Sequence, residues 1–143
     1  MTNGGVTDIK SIKPIAWGIS VSGRNVVVKN HFVDAAPDGV QPGNRTSFPS
    51  NTDGIAISGT NVIVDGYYGH NGDDCINITN GGRNIVAKNG YCGFSSHGLS
   101  IGSLGQDGET ANVFNVTFQN WTMENADYAA RVRNYLQPTY LPY

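Results

Sequence analysis

The sequence predicts an all-β chain wound as a β-solenoid, a right-handed parallel β-helix of about five coils. Three observations lead there. A run of the form Asn followed by alternating apolar residues returns along the chain. A shorter apolar-x-apolar run returns with it. The composition, with 19 Gly and only 14% charged residues, suits strands and tight turns rather than surface helices.

The longer runs are Asn25-Val26-Val27-Val28-Lys29-Asn30, Asn61-Val62-Ile63-Val64-Asp65-Gly66, Asn84-Ile85-Val86-Ala87-Lys88-Asn89 and Asn115-Val116-Thr117-Phe118-Gln119-Asn120. The shorter ones are Ile19-Ser20-Val21, Ile55-Ala56-Ile57, Ile76-Asn77-Ile78, Leu99-Ser100-Ile101 and Ala130-Arg131-Val132. Apolar residues two apart are the mark of a strand with one buried face. A repeat of roughly 20–50 residues marks a solenoid, and the absence of a helical stripe between strands makes it a β-solenoid. Successive coils then stack at ~4.8 Å, with Val, Ile and Leu inside and Asn ladders at the bends. A β-sandwich is the competing architecture, but its strands repeat less regularly. Residues 37–49 and 102–109 are rich in Gly, Pro, Asn and Ser and read as loops between coils, where a solenoid places binding elements.

At 143 residues the chain can bury a real core. With 9 basic and 11 acidic residues, its net charge of -2 gives no footprint for nucleic acid. It has no apolar run long enough to span a membrane. The polar start, Met1-Thr2-Asn3-Gly4-Gly5, carries no signal peptide. Two features point outside the cell all the same. Asn44, Asn77, Asn115 and Asn120 head glycosylation sequons. Cys75 and Cys92 are the only cysteines, either one disulfide or two buried thiols.

Aligning the shorter strands and stepping back two residues from each first apolar position finds Trp17, Asp53, Asp74, His97 and Tyr128. Stacked coils place these in one column, with the backbones of Asp53 and Asp74 ~5 Å apart and His97 one coil further on. Ala56, Asn77, Ser100 and Arg131 form a second outward column, and the next set ends at Arg133. Neighbouring carboxylates repel, so one should keep its proton while another is ionised, as general acid–base chemistry requires. Any single Asp-Gly pair is more simply a bend. Asp53, Asp73, Asp74 and His97 in register are harder to explain that way.

Asn51-Thr52-Asp53, Gly72-Asp73-Asp74, Ser96-His97-Gly98 and Arg131-Val132-Arg133, in this order, resemble glycoside hydrolase family 28, the polygalacturonases and their relatives. The resemblance covers about residues 17–133, so the whole chain, 1–143, reads as one partial β-helix domain. It implies hydrolysis of α-1,4-linked galacturonan with inversion, with a pectic polysaccharide as partner and without cofactor or metal. Asp73 is then the general acid, and Asp53 and Asp74 activate the water, with carboxyl groups roughly 6.5–9.5 Å apart. His97 supports the acid, while Arg131, Arg133, Asn51 and Tyr128 face the substrate, with Trp17 and Tyr128 available to stack on sugars. The resemblance also implies a Cys75–Cys92 disulfide, worth ~3 kcal/mol in the chain-entropy picture, and a secreted protein. Asn71 and Gly72 shape the approach to Asp73.

The sequence departs from the family pattern in three ways. Ser96 stands where the family has Gly, and Arg133 where it has Lys. The stretch from Gly102 to Gln106 looks more like the exo-acting and xylogalacturonan-cleaving branches. Family members are longer, so the chain reads as truncated, and its open end coils should make it marginally stable or associate end to end. An inactive or carbohydrate-binding remnant of the same fold is the alternative function, and a calcium-dependent lyase a lesser one.

Overall fold

The computed structural model describes residues 1–39 and 48–135, except the side chain of Asp107. Eleven strands follow one another: β1 (Thr2–Thr7), β2 (Lys10–Ile12), β3 (Ile19–Val21), β4 (Arg24–Asp34), β5 (Ile55–Ile57), β6 (Thr60–His70), β7 (Asp74–Ile78), β8 (Arg83–Cys92), β9 (Gly98–Leu104), β10 (Phe114–Met123) and β11 (Ala130–Asn134). A short 3-10 turn covers Gln106–Gly108.

The long strands form one sheet in the order β1-β4-β6-β8-β10, and the short strands a second in the order β11-β9-β7-β5-β3. All of their pairings are parallel. Spatial order thus equals chain order, and each coil contributes one strand to each sheet. This is a parallel β-helix of five coils. Between the sheets lie Val26, Val28, Val62, Val64, Ile85 and Ala87 from the long strands and Val21, Ile55, Ile57, Ile76, Ile78 and Leu99 from the short ones, all buried.

Each long strand opens on an asparagine with positive φ: 55° at Asn3, 54° at Asn25, 56° at Asn61, 53° at Asn84 and 54° at Asn115. Asn tolerates this backbone better than other residues bearing a Cβ. Its amide then bonds the coil before: Asn25 donates to Asn3 at 2.7 Å, Asn61 to Asn25 at 2.8 Å, Asn84 to Asn61 at 2.9 Å and Asn115 to Asn84 at 3.0 Å. A second ladder follows five residues on, with Asn30 donating to Asp8, Asn89 to Asp65 and Asn120 to Asn89.

Two sequence expectations need correction. The first coil opens ahead of the first short strand, on strands the repeat did not show, because β1 and β2 lie before residue 17. In β1, Gly4 and Gly5 stand opposite Val26 and Val27, so the strand exists through pairing with β4 rather than through its own side chains. The second expected loop starts late, since β9 continues through Leu104 against β11. Most of the first expected loop, with the Asn44 sequon, lies outside the described residues. The side-chain nitrogens of Asn77, Asn115 and Asn120, where a glycan would attach, are all hydrogen-bond donors.

Candidate active site

The short-strand sheet carries the groove: the turns entering β5, β7 and β9 supply Asn51, Asp53, Asp73 and His97, and the strands themselves supply Asp74, Asn77, Ser100, Arg131 and Arg133. Asp53 precedes β5. Beneath it, the fully buried Thr52 donates to the Pro49 carbonyl and accepts the Gly72 N–H, each at 2.8 Å, which ties one coil's turn to the next. Gly54 follows because a Cβ there would lie 2.0 Å from the Tyr67 hydroxyl.

In the next coil, Asn71 is fully buried and donates its amide to the carbonyls of Asp73 (2.8 Å) and Asp74 (3.0 Å). That holds the two aspartates in a tight turn. Cys75 and Cys92 form a disulfide, joining this turn to the end of β8 just ahead of His97. Gly98 has φ 85° and leaves no room for a side chain, since its Cβ would lie 1.9 Å from the Tyr128 carbonyl.

The expected column is bent at one point. Asp53 and Asp74 are in line, as the Ile55–Ile76 register requires. Between Asp74 and Ile76 the ladder carries a bulge: Asp74 pairs with Gly98 while Ile76 pairs with Leu99. The extra residue, Cys75, shifts the turn by one position. His97 therefore sits on Asp73 rather than Asp74. Its N–H donates to the Asp73 carbonyl at 2.9 Å, and its Nδ1 lies 3.0 Å from Asp73 Oδ1. The remaining Asp73 oxygen accepts the Asn51 N–H at 3.2 Å.

The second column keeps its register, with Ala56, Asn77, Ser100 and Arg131 on successive coils. Asn77 donates to Asp53 Oδ2 at 3.1 Å. Asp74 Oδ1 accepts the Ser100 hydroxyl at 2.5 Å and Arg131 Nη2 at 2.9 Å. Arg131 Nε bonds Ser100 at 2.8 Å, and its guanidinium lies 5.1 Å from the Tyr128 ring. Asn51, Asp53, Asp73, Asp74, His97, Arg131 and Arg133 all line one groove of about 190 Å³, with Trp17 at one end. Tyr128 is not on its wall but backs Arg131. Sequence reasoning assigned no role to Ser100 or to the Asn77 contact with Asp53, although both stand in the second column.

The chain matches the family model described as Glycosyl hydrolases family 28 over residues 1–139. It belongs to glycosyl hydrolase family 28. This family 28 chain is 39% identical over 127 residues to a probable exopolygalacturonase C of Aspergillus flavus, covering 88% of the chain and 28% of the relative. It is 38% identical over 131 residues to the protein of that name in Neosartorya fischeri, covering 91% and 28%. Among solved structures it resembles the endo-xylogalacturonan hydrolase of Aspergillus tubingensis, with a TM-score of 0.82 and 29% identity over 94% of this chain and 35% of that one. The chain thus spans under a third of the length of the curated relatives named here.

The groove of this family 28 chain distributes protons unevenly. Asp53 and Asp74 are each only 4% exposed. Burial, then the charges of Asp73 and Asp74, pushes Asp53 up to about 6 against the pull of Asn77. Burial also raises Asp74, against the Ser100 hydrogen bond and the Arg131 charge. At Asp73 burial again works upward, but the His97 hydrogen bond and charge and the Asp74 and Asn51 N–H groups outweigh it and hold the carboxyl low. His97 is raised, chiefly by its hydrogen bond to Asp73. Perturbations of both signs in one cleft are typical of functional carboxylates. Asp73, Asp74 and His97 also offer atoms within 4.8 Å of one another, as a cation site would. Arg131, 2.9 Å from Asp74 Oδ1, already sets a positive charge beside these groups, which disfavours a cation there.

Proposed function

We propose that this chain carries the catalytic groove of a hydrolase that cleaves α-1,4-galacturonosyl linkages of pectin with inversion. The observation that carries this reading is the gathering of Asp53, Asp73, Asp74, His97 and Arg131 from neighbouring coils onto one groove. The family and the names of the relatives support the substrate class.

In this reading Asp73 protonates the leaving oxygen, and Asp53 and Asp74 deliver the water from the opposite face of the sugar. The groove by itself favours a proton on Asp53 and an ionised Asp73. An incoming galacturonate, through its own negative charge and the exclusion of water, raises every groove carboxyl, but only Asp73 has a neighbouring acid, His97 at 3.0 Å, to supply the proton. His97 then serves as the partner through which Asp73 recovers its proton. Two of the Arg131 nitrogens are engaged with Ser100 and Asp74. The guanidinium of Arg133, which lines the groove and donates to Tyr135 Oη at 3.0 Å, is left to meet a sugar carboxylate. A buried disulfide fits a secreted protein.

The test is release of reducing ends from polygalacturonate, with Asp73→Asn expected to lower it about a thousandfold. The first product should carry the inverted anomeric configuration by NMR. The partial span and the Arg at position 133 support a second reading, an inactive sugar-binding remnant. Binding without release of reducing ends by the unsubstituted chain would establish that one.

A further inference from the structure

We infer that Trp17 forms a sugar-stacking subsite at the end of the groove away from Arg131 and Arg133, for a pyranose whose carboxylate is absent or esterified. The inference rests on the galacturonan reading above and adds a direction to it.

Trp17 is 57% exposed and lines the same groove as the carboxylates. It is held one coil away from Asp53. The Gly18 N–H donates to the Asp53 carbonyl at 2.8 Å, and Ile19 pairs with Ile55. One coil is ~4.8 Å, about the length of one sugar ring. A ring adjacent to the one at the aspartates therefore arrives at the indole. The other tryptophan is used differently: Trp121 donates its N–H to the Ala87 carbonyl at 2.9 Å and lies 5.7 Å from the Tyr67 ring.

Charge gives the groove its polarity. Its two lining cations, Arg131 and Arg133, both come from the fifth coil, whereas Trp17 comes from the first. A carboxylate on the sugar nearest the arginines is attracted. A carboxylate on the sugar over Trp17 finds no cation among the described groove residues and lies next to Asp53. The axial C–H face of a pyranose, in contrast, gains from contact with a broad π surface. The structure thus pairs a charge-reading end with a shape-reading end.

Calorimetric titration of oligogalacturonates into the Asp73→Asn protein, which binds without turnover, tests this. Trp17→Ala should weaken binding about tenfold, and Trp17→Phe should keep most of it. The Trp17 indole N–H resonance should shift on binding. Methyl esterification of the ring at the Trp17 end should raise affinity, and a loss there would overturn the polarity, while esterification at the arginine end should abolish binding. If Trp17→Ala binds as well as the parent while Arg133→Ala does not, the subsite is refuted and the galacturonan reading stands. If the parent binds no oligogalacturonate, both fall.

Discussion

Asp53 and Asp73 occupy similar corners of adjacent coils, yet they hold protons in opposite ways. Asp53 is buried with two other carboxylates nearby and rises to about 6. Asp73 is held low by His97 and two N–H donors. The consequence for stability has a definite sign. The folded chain binds the Asp53 proton more tightly than the unfolded chain does. Its stabilising effect is therefore complete below the unfolded value of 3.8 and is lost as pH rises through about 6. Asp53→Asn keeps the shape and removes the charge. Its thermal melt should gain on the parent at pH 7 relative to pH 4, by about 2 kcal/mol. An equal difference between the two proteins at both pH values would show that Asp53 ionises without strain. The motif spacing made these carboxylates visible as candidates. It could not rank their protons, because the ranking depends on burial and on neighbours a coil away.

The coil's repeating element is a strand opened by asparagine, and the ladders explain why Asn recurs at those positions. Asn84 is the clearest case. It has φ 53°, donates to Asn61 and accepts from Asn115. Asn84→Ala loses both hydrogen bonds and keeps an unfavourable backbone. It should cost about 1–2 kcal/mol in urea unfolding. Asn84→Gly relieves the backbone and should cost less than Asn84→Ala. An Asn84→Ala protein as stable as the parent would reduce the ladder to decoration. At this scale the sequence was largely legible, since β4, β6, β8 and β10 all begin within a residue of the Asn that announced them. It failed at β1, where Gly4 and Gly5 carry no apolar signal and the partner strand makes the element.

Across the whole molecule, the five-coil stack has two open faces among the described residues. Val6, Ile19, Val21, Val26 and Val28 line a cleft on the first-coil face, and Ile101, Phe118, Ala130 and Val132 line one on the fifth-coil face. Val132 is 70% exposed, and Phe114 is exposed as well. Parallel strands with free edges next to apolar surface invite pairing. We propose that the isolated chain associates end to end. Its sedimentation coefficient should then rise across a hundredfold increase in concentration. A monomer throughout that range, with a cooperative melt independent of concentration, would show that the end coils close on themselves.

Periodicity and motif order determined the solenoid, the outward columns and many of the groove residues, though not Ser100 or the place of Tyr128, because side-chain alternation along a strand is a local property. Pairing across the coils decided the rest. A bulge that adds Cys75 opposite β9 moves His97 from Asp74 onto Asp73. The resulting contacts bind Arg131 to Asp74 and lower Asp73 while Asp53 rises. An extra residue in a ladder has meaning only against its partner strand, and a proton's preference only against its surroundings. Both come into being when the coils stack.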